Sequence, residues 1–197
     1  DYAIKLMDSP SAEANWCRGI ADADSFDAKK CEELVEKAFS GLKLELDLAK
    51  AAADADIIIE SVAENVKDKI AFYTALAPLM SEKTILCSNS STLLPSTFAK
   101  YTGRPEKYLS LHFANAIWKN NTAEVMAQSE TSREAFDAVM AFANDIRMVA
   151  LPVNKEKNGY LLNSMLVPFL TIPEAMEIVS SDRPAVNGKY KRIEDRK

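Results

Sequence analysis

The chain has 197 residues, of which 48% are hydrophobic and 27% charged, and its formal net charge is −5. That balance fits one folded domain with a tail, and the acidic charge excludes a general nucleic-acid binder, which would show a basic face. No window approaches the roughly 18 uninterrupted apolar residues of a transmembrane helix, and five glycines and eight prolines are too few for a disordered or collagen-like chain.

Tyr2 to Asp8 reads as a strand ending on a carboxylate, broken by Ser9-Pro10-Ser11. From Asp27 the pattern turns helical. Cys31, Leu34, Val35, Ala38 and Phe39 share one apolar face, and Gly41 is the expected stop. Leu42 to Leu46 alternates as a strand should, and Asp47 to Ala53 reads as a short helix. Ile57-Ile58-Ile59 is a continuous apolar run, the signature of a strand buried on both faces of a parallel sheet. A helix over about 66–80 follows, with Ile70, Tyr73, Leu76 and Met80 inward. Thr84 to Cys87 is a second buried strand, 96–101 a short helix, Tyr108 to His112 a strand and Ala123 to Ala127 another. Thr131-Ser132-Arg133-Glu134 is a capping-box pattern that opens a helix with Phe136, Val139, Met140 and Ala143 inward. Met148 to Val153 is a last strand. A long apolar helix starts near Gly159, with Pro168 and Pro173 complicating its later turns. Alternating strands and helices predict an α/β fold with a mostly parallel sheet and flanking helices. Residues 183–197 carry six Lys or Arg and two Asp or Glu, a solvated basic tail or a contact for an acidic partner.

Cys17, Cys31 and Cys87 are widely spaced and form no CxxC pair, so neither zinc nor a redox dithiol is indicated. Reduced thiols in the cytoplasm or the mitochondrial matrix are the expectation, with Cys87 a small core residue. The chain begins at Asp1, and no signal or transit peptide is visible.

A doubly wound sheet binds ligands at the carboxyl ends of its strands. Asp8 ends the first strand. Val62-Ala63-Glu64-Asn65 follows the 55–60 strand, with Lys69 a helical turn on. Ser88-Asn89-Ser90-Ser91-Thr92 follows the next, and His112-Phe113-Ala114-Asn115 the one after. Each has a structural alternative: Asp as a helix cap, Ser and Asn as turn formers, a single His as a hydrogen-bonded core residue. Glu124, on the next strand, is placed to reach the imidazole and hold its charge, or to sit exposed on its strand.

Asp56 to Asn65, Ser88 to Thr92, Leu111 to Asn115, Ala123 to Val125 and Gly159 to Pro168, in that order and spacing, together resemble the 3-hydroxyacyl-CoA dehydrogenases, from about residue 2 to residue 170. Thr92 to Pro95 and Asn120 to Val125 look like the short-chain, 3-hydroxybutyryl-CoA dehydrogenase-like branch. The resemblance implies a Rossmann-type dinucleotide-binding domain over 1–156, the remnant of a helical domain over 157–182 and a tail over 183–197. It implies NAD as cofactor, an acyl-CoA substrate, and a homo-oligomer or a subunit of a larger complex. His112 would be the general base for the 3-hydroxyl, Glu124 its charge partner, Ser91 a donor to the substrate oxygen and Asn163 a contact near the thioester. Asp8 would take the adenosine ribose, Glu64 and Lys69 would line the cofactor, and Asn89 would sit near the nicotinamide ribose.

The sequence departs from that family in three places. It has no Gly-x-Gly-x-x-Gly turn; its glycines are 19, 41, 103, 159 and 188. Such a turn lets the backbone approach the pyrophosphate, and Asp1-Tyr2 stands where the family's second strand begins. Residues 171–197 do not resemble the family's helical domain. Ala116 and Ser164 stand where many members carry Pro and Arg. Three expectations follow from these departures: a fragment or incomplete record of a dehydrogenase, a non-catalytic structural subunit derived from one, or a binder of acyl-CoA that does not oxidise it.

Overall fold

The computed structural model describes residues 28–117 and 120–170. The expected strand at 2–8, with Asp8, and the tail at 183–197 lie outside those residues. The chain divides into two units, one ending at Tyr160 and one beginning at Leu161.

In the first unit, β1 (Ile57–Glu60), β2 (Ile85–Ser88), β3 (Tyr108–Phe113), β4 (Thr122–Ala127) and β5 (Val149–Val153) form one sheet in chain order. Neighbours run parallel except β3 and β4, which are antiparallel. The reason is the connection. A parallel return needs a crossover of about a dozen residues or more, and only the short 114–121 segment joins β3 to β4. Helix α1 (Ala28–Gly41) precedes the sheet in the chain, and α2 (Leu48–Ala52), α3 (Val66–Leu76) and α4 (Arg133–Asp145) accompany it. This is the mostly parallel, Rossmann-like α/β architecture that the alternation predicts.

Side chains alternate between the two faces of a strand, and the core divides accordingly. Leu109 and Leu111 of β3 join Cys87, Ala123 and Val125 against Val139 and Ala143 of α4. On the other face, Tyr108 joins Leu86, Tyr73, Leu76 and Phe98. Cys87 is fully buried, and burial pushes its thiol up to about 12, so it stays an unreactive core group. Ser110, His112, Glu124 and Met126 share Tyr108's face, because His112 pairs with Glu124 and Ser110 with Met126.

Several elements differ from expectation. Residues 42–47 form no strand, and Leu44 and Leu46 are exposed. Alternation alone does not supply a pairing partner, and Asp47 instead caps α2 by accepting from Ala49 and Lys50. The expected inward face of α1 is not buried at Leu34 or Phe39. The 66–80 helix stops at Leu76 and continues as a 3₁₀ turn over Ala77–Leu79, where Pro78 lacks the N–H that an α-helix would use. The 96–101 helix is two 3₁₀ turns, Pro95–Thr97 and Ala99–Tyr101.

The cap of α4 is Ser132, one residue past the expected Thr131. The Ser132 hydroxyl accepts from Ala135 N, while Thr131 donates to Tyr108 O and accepts from Gln128 N. The last helix starts at Leu162, past a turn at Gly159 and Tyr160. In the second unit, α5 (Leu162–Leu170) carries Pro168 inside it. No helix among the described residues is long and apolar enough to cross a membrane.

Because Ser132 closes the first turn of α4, Ser132→Ala should lower stability by about 0.5–2 kcal/mol in urea unfolding, with the slope unchanged.

Candidate active site

The chain's single histidine lies near the carboxyl end of β3, 6% exposed. Because β4 runs antiparallel, its starting residues face that same end, which brings Glu124 directly across from His112. Glu124 Oε2 is 2.8 Å from His112 Nδ1, and Glu124 is fully buried. An ionised carboxylate can only accept, so Nδ1 carries the proton and Nε2 keeps its lone pair. Ser91 Oγ lies 3.2 Å from Nε2 and is the donor of that contact. The result is a buried carboxylate, an oriented imidazole and a hydroxyl at its reactive nitrogen. Such a group can accept and return a proton at one defined atom.

Ser91 is held by the loop that carries it. Glu64 Oε1 accepts from Ser90 Oγ at 2.6 Å, Ser91 N at 3.2 Å, Thr92 N at 2.9 Å and Thr92 Oγ1 at 2.8 Å. Burial pushes the Glu64 carboxyl up, but the Ser90 and Thr92 hydrogen bonds and the Lys69 charge outweigh it and hold the group at about 2. Asn89 Oδ1 accepts from Phe113 N at 3.0 Å and so ties this loop to the end of β3 beside His112. Asn65, of the same 62–65 stretch, is the cap of α3 and accepts from Lys67 N and Asp68 N.

Beneath the loops lies a buried ion pair. Glu60, the last residue of β1, accepts from Lys69 Nζ at 2.7 Å, from Ser88 Oγ at 2.9 Å, and from the Val62 amide and the Tyr73 hydroxyl. Lys69 and Tyr73 are four residues apart on α3, so one face delivers both donors. Lys69 Nζ also lies 3.7 Å from Glu64 Oε2, which links the pair to the Ser91 loop. Ser88, Ser110 and Met126 continue the row from Glu60 across β2, β3 and β4.

The fold thus brings His112, Glu124 and Ser91 into contact and sets Asn89 and Glu64 beside them. Lys69 lies below them, 1% exposed and engaged with Glu60. Asn163 lies on α5 of the second unit, and Asp8 lies outside the described residues. Sequence reasoning missed Glu60, although a carboxylate closing the apolar run Ile57–Ile59 was a readable signal. It also missed Ser110 and Tyr160. The Tyr160 hydroxyl donates to Ser110 Oγ at 2.8 Å, and its ring lies against the imidazole.

Two predictions test this arrangement. Removing the cation in Lys69→Met leaves Glu60 buried without its charge partner and should cost about 3–5 kcal/mol of unfolding free energy; adding Glu60→Gln should recover much of that loss. Glu64 sits below its ordinary 4.5 when folded, so its contribution is present above that value and disappears as pH falls toward about 2. The stability gap between wild type and Glu64→Gln should therefore hold at neutral pH and close across that window, as read from urea midpoints.

The profile of the 3-hydroxyacyl-CoA dehydrogenase NAD-binding domain matches residues 2–157. The mitochondrial hydroxyacyl-coenzyme A dehydrogenase of Rattus norvegicus is 32% identical over 143 residues, 72% of this chain and 45% of that protein. This chain therefore spans about half the length of the curated relatives it matches. A solved diketoreductase, described as catalysing reactions of dicarbonyl compounds, is 44% identical with a TM-score of 0.71, covering 91% of this chain and 59% of its own. The 3-hydroxybutyryl-CoA dehydrogenase of Escherichia coli K12 shares the fold at a TM-score of 0.65 and 23% identity, over 78% of this chain and 31% of that one. NAD is the cofactor of the matched domain family. On the match that runs from residue 2 to residue 157, the chain belongs to the family of 3-hydroxyacyl-CoA dehydrogenase NAD-binding domains.

Proposed function

We propose that this domain carries the acid–base centre of an NAD-dependent oxidoreductase that interconverts a 3-hydroxyacyl-CoA and its 3-oxo form. The observation that carries this reading is the His112 imidazole, held by Glu124 at Nδ1 with Nε2 turned to a hydroxyl. In the oxidative direction, His112 Nε2 accepts the proton of the 3-hydroxyl group. Glu124 stabilises the imidazolium that results. Ser91 turns its hydroxyl from Nε2 to the substrate oxygen and holds that oxygen near the base. In the reductive direction, the imidazolium returns the proton to the same oxygen. NAD, when bound, supplies the hydride acceptor.

The residues present fit the nicotinamide–ribose end of NAD. Asn89 and Ser61 form a polar pair, Nδ2 to Oγ 3.4 Å, at the carboxyl ends of β2 and β1, where this architecture receives such a group. Asn89 would take ribose hydroxyls, with Glu64 setting the loop alongside. Lys69 would act through Glu64, and Asp8 would accept from the adenosine ribose. Asn163 would contact the thioester region. The glycine turn that serves the pyrophosphate is not among these 197 residues. A reducing setting, the cytoplasm or the mitochondrial matrix, suits an uncombined Cys87 thiol.

A second reading takes a free 1,3-dicarbonyl compound as the substrate. The 44% identity to the diketoreductase over 91% of the chain favours it. The bond chemistry at C3 is the same, so His112, Glu124 and Ser91 keep their roles.

The test is NADH oxidation by the purified chain with acetoacetyl-CoA or with a free 1,3-diketone. Turnover with the thioester, falling roughly 10²–10⁴-fold in His112→Ala and by a comparable factor in Glu124→Gln, supports the reading. Turnover with the diketone alone selects the second substrate class. No NADH binding and no turnover with either overturns both readings and points to a structural role.

A further inference from the structure

Ser110 precedes His112 by two residues on β3 and shares its face. Tyr160 closes over that face. Its hydroxyl donates to Ser110 Oγ at 2.8 Å, and its ring centroid lies 4.9 Å from the imidazole centroid, at 44°. The side chain is fully buried and packs with Met126 and Val153.

The backbone adopts a rare shape to place it. Gly159 and Tyr160 both have positive φ, 77° and 52°. For a bulky aromatic residue the left-handed region is an outlier that persists only when surrounding contacts over-determine it. Filling space does not account for the hydroxyl, since phenylalanine has nearly the same volume and no polar atom to satisfy. Burial raises the phenol above its ordinary value, so it remains protonated and keeps donating to Ser110.

An imidazole held only at its two nitrogens has a difficulty. Its Nε2 partner must let go when substrate arrives, and the ring then hangs from the Glu124 contact alone. A wall against the ring face holds the plane without competing for Nε2. We propose that Tyr160 is the positioning residue of His112: its ring sets the imidazole plane, and Ser110 tethers that ring through its hydroxyl. The role in turnover rests on the reading of His112 as the base.

The test uses the fact that the chain has one histidine, so its imidazole resonances need no assignment. In the full chain with ¹⁵N-labelled histidine, wild type should show a single tautomer with the proton on Nδ1. Tyr160→Leu should populate the second tautomer, read from the two ring ¹⁵N shifts, because the lost ring current moves the C–H resonances by itself. It should also lower kcat roughly 10- to 100-fold, with KM within about twofold. Tyr160→Phe keeps the ring and loses only the tether, so it should retain most of kcat and a single tautomer while still shifting the imidazole resonances. Ser110→Ala should shift the resonances in the same direction as Tyr160→Phe and by no more, since the Leu93 carbonyl, 3.4 Å from the phenol, remains as an acceptor, and the double variant should be no worse than Tyr160→Phe alone.

A wild-type histidine spectrum and kcat in Tyr160→Leu overturn the proposal, as does a rise in KM alone. If Tyr160→Leu does not fold, Ser110→Ala decides: shifted imidazole resonances support the proposal and unchanged ones overturn it. The spectrum reads positioning without turnover. A second tautomer in Tyr160→Leu therefore upholds the role of Tyr160 even where the wild type is inactive and the enzymatic reading falls.

Discussion

The Glu60 carboxylate must stay buried while four donors converge on it, and that requirement fixes β1, β2 and α3 relative to one another. A charge in a dry interior is tolerated only when paired and hydrogen-bonded. Ser88 meets the requirement from the neighbouring strand, and Lys69 and Tyr73 from successive turns of one helix. The charge of Lys69 also reaches Glu64. Glu64 in turn gathers the amides and hydroxyls of residues 90–92. Ser91 is therefore placed by a chain of polar contacts that begins beneath the sheet's edge and ends at the imidazole.

The reversal of β4 does the complementary task. In a wholly parallel sheet, the start of the following strand would lie at the far end from His112. The antiparallel return places that start beside it, so the acid and the base come from adjacent strands separated by one short loop. The two supports have different chemistry. The 64–92 contacts are many and partly open to solvent, whereas the His112–Glu124 contact is buried. A loop held by several hydrogen bonds can adjust to a ligand, while an enclosed acid–base pair keeps its geometry.

Much of this was readable from residue order. The apolar runs at 57–59 and 85–87 mark two strands, but only the second is covered on both faces: Leu86 and Cys87 are buried, whereas Ile57 and Ile58 are half-buried and Ile59 is exposed, because β1 has a neighbour on one side alone among the described residues. The eleven residues between His112 and Glu124 leave room for a turn and a return, so their pairing was legible as soon as both segments were read as strands. Other features were not. Leu42 to Leu46 alternates well, but alternation records an intended face and not the presence of a neighbour to bond with. Glu64 was legible as a carboxylate near a site. Its donors, however, lie 26–28 residues further on, beyond any local pattern. Tyr160 sits between a glycine and an apolar run, which reads as the first turn of a helix. Only the positive φ shows that the chain bends there first.

The pleat of β4 also guards against near-miss structures. Sliding β4 by one residue against β3 would bring Ala123 or Val125 opposite His112 and turn Glu124 into the apolar layer that faces α4. The same slip would expose or misplace Val125, so the error that removes the acid–base pair also destabilises the core. Parity thus acts as an error check against one-residue slips: a register that turns Ala123 and Val125 toward α4 also turns Glu124 to the face of His112.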